Sequence, residues 1–204
     1  MSKLLHINTS VRSNGSISRQ LSTEFLNKWQ AANAGATVTT LDLAATPVPH
    51  LTEQMMGAFF TPAEQRSAEQ AQTVALSDKL VADLKDADVI VIGSPMYNFG
   101  ISSTLKAWVD HVARAGVTFQ YTATGPVGLL TGKKVYVFTA RGGVYSQGPA
   151  AAMDFQETYL RAVLGFLGIT DITFVHSEGV AMGEEAAAKA IEGSRQTIGT
   201  LLAA

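Results

Sequence analysis

The chain has 204 residues, 47% of them hydrophobic and 16% charged, with a formal net charge of −2; this content supports a well-cored domain and excludes a disordered or low-complexity chain. Fifteen Lys and Arg balanced by seventeen Asp and Glu form no basic stripe, which argues against nucleic acid as a partner. Cysteine is absent, so disulfides, thiolate metal sites, thiol catalysis and iron–sulfur ligation are excluded and redox work requires a bound cofactor.

The amino terminus is too short in apolar residues for a signal peptide, and nowhere do roughly eighteen apolar residues run together, so the reading is a cytoplasmic protein with no membrane partner. Lys3 to Asn8 reads as a strand, followed by a polar loop from Thr9 to Ser18. Leu21, Phe25, Leu26 and Trp29 then recur at helical spacing behind serines suited to an N-cap. Thr37 to Leu43 is a second strand, and Ala44 to Thr61 an excursion with Pro47, Pro49 and Gly57. Pro62 fits the first turn of a helix running to Asp86. Val89 to Ile92 is a strand buried on both faces.

The loop from Gly93 to Gly100 precedes a helix carrying Leu105, Trp108, Val109 and Val112. Val135 to Phe138 is the fourth strand, Arg141 to Gly143 its loop, and Phe155 to Leu167 a helix. Ile172 to Val175 and Glu184 to Leu202 close the chain as strand and helix. Five strands alternating with helices predict an α/β, three-layer, doubly wound parallel sheet with right-handed crossovers, as a single domain over residues 1–204.

In such sheets ligands bind beyond the carboxyl ends of the strands, which brings the loops after the first, third and fourth strands to one crevice. The first loop is neither a Gly-x-Gly-x-x-Gly nor a Walker motif. Ser10, Ser13, Ser16 and Ser18, with the free amides of the following helix, suit a terminal phosphate, or else form a solvated turn with an N-cap. In the second loop Met96, Tyr97 and Phe99 stand where solvent is met; they either border a flat heteroaromatic ring, with Asn98 bonding its edge, or plug the end of the core. Gly142 and Gly143 permit close backbone approach to a ligand or a simple turn. Together the three loops match the inventory of flavin mononucleotide. The four histidines form no cluster, so no metal site is expected, and Glu184–Glu185 reads as a helix start.

The blocks Ser94–Phe99, Leu105–Lys106, Ala113–Phe119, Thr131–Lys134 and Arg141–Gly143, in that order, resemble the FMN-dependent NADH:quinone oxidoreductases, the flavodoxin-like azoreductases of bacteria, over essentially the whole chain. The resemblance implies a flavodoxin-like sheet order of 2-1-3-4-5. It implies that Ser10, Ser16, Ile17 and Ser18 hold the FMN phosphate, that Met96, Tyr97, Asn98 and Phe99 border the isoalloxazine, and that Ala140, Arg141, Gly142 and Gly143 line its pyrimidine side. The family often has serine where Ala140 stands, which leaves a backbone contact there. It further implies a homodimer with the flavin near the interface, NADH or NADPH as donor, and ping-pong two-electron reduction of quinones and reductive cleavage of azo compounds. The flavin carries the hydride, so no catalytic side chain is assigned.

Flat aromatic acceptors make Phe60, Phe119 and Tyr121 candidates for the substrate walls; Phe60 as core, and Phe119–Tyr121 as the alternation of a short strand, are the competing readings. The rival functions are a flavodoxin-like electron carrier without NADH turnover, to which a charge of −2 lends little support, and a flavin-free domain binding another phosphorylated small molecule.

Overall fold

All five predicted strands form in the computed structural model, which describes residues 2–203. They are β1 (Lys3–Asn8), β2 (Thr37–Asp42), β3 (Val89–Pro95), β6 (Lys134–Ala140) and β7 (Asp171–Ser177), paired in parallel in the order β2-β1-β3-β6-β7. Counted within this sheet alone, that is the expected 2-1-3-4-5. Two further strands, β4 (Phe119–Thr122) and β5 (Gly125–Gly128), make a separate antiparallel hairpin.

The period-two alternation of the strands divides the core in two. Leu5, Ile7, Ile90, Ile92, Val135 and Val137 face α3 (Ala68–Asp86), α4 (Ser103–Val112) and α5 (Phe155–Phe166). Leu4, Val91, Tyr136 and Phe138 face α1 (Ile17–Ala32) and α6 (Glu184–Ala203). This is the doubly wound arrangement, with the carboxyl ends of β1, β3 and β6 at one edge. Among the described residues, no helix is long and apolar enough to cross a membrane.

The stretch from Ala44 to Asp86 is built differently from expectation. The excursion contains a helix, α2 (Glu53–Phe60), capped by Thr52, and the helix expected from Pro62 is replaced by a short 3-10 turn over Ala63–Gln65. α3 begins only after Ser67, whose hydroxyl accepts from Gln70 while the Gln70 side chain accepts from the Ser67 amide, a capping box that sets the start of the helix. Arg66 meanwhile donates to the carbonyls of Ala58 and Thr61, which holds the chain between the two helices in a turn.

Two glycines set close approaches. A Cβ on Gly93 would stand 2.8 Å from Ser22 Oγ and 3.0 Å from the Ser18 carbonyl, so α1 settles onto β3 only with glycine there. A Cβ on Gly128 would stand 2.1 Å from the Gly168 nitrogen, where β5 crosses the turn after α5.

Candidate functional site

The loop after β1 leaves a run of its backbone donors unpaired among the described residues. From Ser13 through Ser18 no backbone N–H donates to another group of the chain among the described residues. Ser16 caps α1 by accepting from the Arg19 amide, and its Oγ lies 3.4 Å from Ser18 Oγ. Ser10 and Ser18 are buried while Ser13 to Gly15 are exposed. Arg19 is turned away from the donors, pairing with Asp42 at 2.5 Å and donating to the Ser10 carbonyl. The result is a nest of neutral donors at the positive end of a sixteen-residue helix, suited to a phosphate.

The loop after β3 is a tight turn in which Tyr97 and Gly100 exchange backbone hydrogen bonds at 3.0 Å. Its two central residues, Asn98 and Phe99, have φ of +48° and +69°, the signs a type I′ turn demands. Asn tolerates this region; Phe does not adopt it without cost, and Phe99 is nonetheless 42% exposed. The amides of Asn98 and Phe99 have no acceptor among the described residues, whereas those of Met96 and Tyr97 bond to Ala140 and Gly100. Any ring-edge donor from this loop therefore comes from Asn98 or Phe99, which narrows the expected contact at Met96–Phe99.

The loop after β6 closes the crevice. The carbonyls of Gly142 and Gly143 accept from Ala181 and Gly179, while their own N–H groups are free among the described residues. Arg141 departs from expectation. Its side chain is fully buried and points away from the loop mouth, with Nη2 2.9 Å from Asp154, Nη1 3.1 Å from Glu178 and Nε 3.0 Å from the Gln156 side-chain oxygen Oε1. Its backbone N–H and C=O are also used, by Ser177 and Val180. A buried guanidinium needs carboxylates around it, and this one ties the loop to Asp154 and Glu178. Ala140 is the last residue of β6, its carbonyl occupied by Met96.

Side-chain contacts join the three loops. Ser10 Oγ lies 3.4 Å from the Tyr97 hydroxyl, and the Phe99 ring stands edge-on to Tyr145 at 6.1 Å. Fully buried Gln156 ties the Ser94 carbonyl to Arg141, and so the end of β3 to the loop after β6. Beneath the first loop, His6 is buried with Nε2 3.0 Å from Ser22 Oγ, and burial followed by the Arg19 charge lowers its pKa to about 4. A cleft of about 870 Å³ opens beside Tyr97 and Asn98, walled by Ile101, Tyr159 and a largely exposed Phe155.

The three aromatic acceptor candidates are not brought together here. Phe119 is 8% exposed and lies in the core, packed on Phe166 at 4.4 Å, because β4 turns that side of its alternation inward. Tyr121, on the outward side, is exposed, and so is Phe60 at the end of α2, which removes the core reading of Phe60. Neither has a ring contact with Tyr97, Phe99 or Tyr145 among the described residues.

A protein-family model described as flavodoxin-like fold matches residues 2–202. A protein of Herminiimonas arsenicoxydans named FMN-dependent NADH:quinone oxidoreductase is 65% identical over 204 residues, all of both chains. The chain belongs to this flavodoxin-like family of FMN-dependent NADH:quinone oxidoreductases. A family member of the same name from Burkholderia thailandensis is 54% identical over 198 residues, 97% of this chain and 98% of that one. Among solved structures, an azoreductase from Bacillus anthracis str. Sterne superposes with a TM-score of 0.91 at 33% identity, covering 99% of both chains. An FMN-dependent NADH-azoreductase from Bacillus anthracis str. Ames Ancestor in complex with FMN does so with a TM-score of 0.87 at 28% identity, covering 99% of this chain and all of that one.

For a member of this family, the residues that sequence reading passed over are Tyr145, Asp154, Gln156 and Glu178. Asp154 carried a signal, standing one residue before a helix start as an N-cap; its side chain accepts from the amides of Gln156 and Glu157. Tyr145 lies in the same loop as Arg141, whereas Gln156 and Glu178 lie 15 and 37 residues from it in sequence and only the fold collects them.

Proposed function

We propose that the chain is an FMN-dependent oxidoreductase that takes electrons from NADH and delivers them in pairs to quinones and aromatic azo compounds. The observation that carries the reading is the convergence of three groups of unpaired N–H donors, at Ser13–Ser18, Asn98–Phe99 and Gly142–Gly143, on one crevice bordered by aromatic rings. Such a crevice fits a phosphate-tailed, flat, polar-edged ring, and relatives sharing the whole length of the chain carry FMN in their names.

FMN, when bound, supplies the hydride-accepting and hydride-donating chemistry. The chain's own residues bind and orient. Ser10, the Ser16 and Ser18 hydroxyls and the amides of the first loop, Ile17 included, hold the phosphate. Asn98 and Phe99 donate to the ring edge, with Met96 and Tyr97 packed beside it. The Gly142 and Gly143 amides face the pyrimidine side, where they stabilise negative charge, while Ala140 and Arg141 hold those glycines in place. No side-chain acid is required, since solvent water protonates the products. Tyr121 and Phe60 remain as acceptor contacts from exposed positions.

We take residues 1–204 as one domain and the working form as a homodimer, with a second copy covering the cleft beside Tyr97 and Asn98; exposed Phe155 supports this. The enzyme is placed in the cytoplasm because its donor is an intracellular nucleotide. The experiment is steady-state NADH oxidation by flavin-depleted protein with benzoquinone, with and without added FMN. Turnover that depends on both additions is expected; NADH oxidation that ignores FMN contradicts the reading.

A further inference from the structure

The carboxylate of Glu178, just beyond β7, accepts four hydrogen bonds: from Arg141 Nη1 at 3.1 Å, the Tyr145 and Ser146 amides at 2.8 and 3.0 Å, and Ser146 Oγ at 2.5 Å. Burial works to raise its pKa, but the bonds from Ser146, the Tyr145 amide and Arg141 outweigh it, and the carboxyl is held below its ordinary value. Three of the four donors belong to one short loop segment, and the fourth is the buried arginine that fixes the start of that loop. Arg141 already has Asp154 2.9 Å away. Balancing the arginine's charge therefore does not account for the three loop donors.

The clamped loop places an aromatic ring across the crevice. The Tyr145 ring lies against Gly143, 3.4 Å from where a Cβ would stand, and meets Phe99 edge-on at an interplanar angle of 72°. It spans from the loop after β6 to the loop after β3. Its hydroxyl makes no hydrogen bond among the described residues, so the ring is held by packing and by the backbone that Glu178 grips.

We infer that Glu178 is a positioning residue that clamps the Tyr145 loop, and that Tyr145, so held, is the aromatic wall limiting the size of the oxidants admitted to the flavin. The inference rests on the FMN reading above and adds to it a residue that sets acceptor class. Small quinones pass beside the ring; acceptors with a second fused ring meet its edge.

The test compares kcat/KM for 1,4-benzoquinone and a two-ring naphthoquinone at saturating NADH, using FMN-loaded protein. Tyr145→Ala raises the naphthoquinone-to-benzoquinone ratio about tenfold, the scale at which pocket walls discriminate. Glu178→Ala moves the ratio in the same direction, because removing the carboxylate takes the acceptor away from the Tyr145 and Ser146 amides and releases the segment. Tyr145→Phe keeps the wild-type ratio, since the ring and not the hydroxyl forms the wall. Should Glu178→Ala fail to fold, Ser146→Ala removes a single exposed donor to the clamp and shifts the ratio the same way. An unchanged ratio in Tyr145→Ala overturns the wall. A shift in Tyr145→Ala with none in Glu178→Ala or Ser146→Ala overturns the clamp. Failure of the underlying reading is seen separately, as wild-type protein that retains no FMN.

Discussion

Phe99→Gly separates what the turn after β3 does for the fold from what it does for the ligand. At φ +69° a phenylalanine carries about 1–2 kcal/mol of backbone cost that glycine does not, and the change creates Asn98-Gly, the favoured pair for a type I′ turn. Against this stands the lost side chain. With 42% of Phe99 exposed, about half of the ~1.5–3 kcal/mol of a fully buried phenylalanine is lost, together with ~0.5–1.5 kcal/mol for the edge contact with Tyr145. A further cost of about 0.5–1 kcal/mol comes from the freer unfolded chain. The net is about 1 kcal/mol of destabilisation, small beside a typical aromatic truncation. FMN affinity falls more, by about tenfold or ~1.4 kcal/mol, because the ring that borders the flavin is gone. Urea unfolding of the flavin-free protein gives the first quantity, and titration of flavin fluorescence the second. A stability loss above about 3 kcal/mol with unchanged FMN affinity would refute the reasoning and make Phe99 a core plug.

Gly128→Ala places a methyl within 2.1 Å of backbone that cannot yield, so it costs about 3 kcal/mol of stability and lowers the thermal midpoint sharply; a normal midpoint contradicts the close approach of β5 to Gly168. His6, ordinarily at 6.5, has a folded value near 4, so between those values the unfolded chain binds a proton that the folded one refuses, and stability rises with pH in that window. Acidification from pH 6.5 to 4 thus removes up to about 3 kcal/mol through His6 alone. His111 and His176, also lowered chiefly by burial, act in the same direction, so urea midpoints of His6→Gln against pH show a flatter slope, not a flat one. Phe119→Ala costs about 3–5 kcal/mol by urea unfolding, whereas Tyr121→Ala stays within about 0.5 kcal/mol and raises KM for quinones; the reverse pattern contradicts their placement.

What was legible in the sequence follows the local physics of each segment. Val89 to Ile92 announced a central strand because only a strand buried on both faces is apolar at every position, and β3 has sheet neighbours on both sides. Ser16 could be placed at the start of α1 because capping is a short-range property. Phe119 and Tyr121 could not be sorted, since alternation distinguishes two faces without saying which is inward. The positive φ of Phe99 was invisible because its residue type argues against it; strain of that kind is sustained by surrounding structure. Arg141 is set beside the ligand by the family resemblance alone, and its burial is visible only when Asp154, Gln156 and Glu178 are brought to it by α5 and β7.

The central claim is tested most directly by the visible spectrum of the protein saturated with FMN, followed without oxygen as NADH and then benzoquinone are added. The account predicts bound flavin whose absorbance is bleached by one equivalent of NADH and restored by one equivalent of quinone. Protein that binds no FMN, or bound flavin that NADH leaves unbleached, would contradict it.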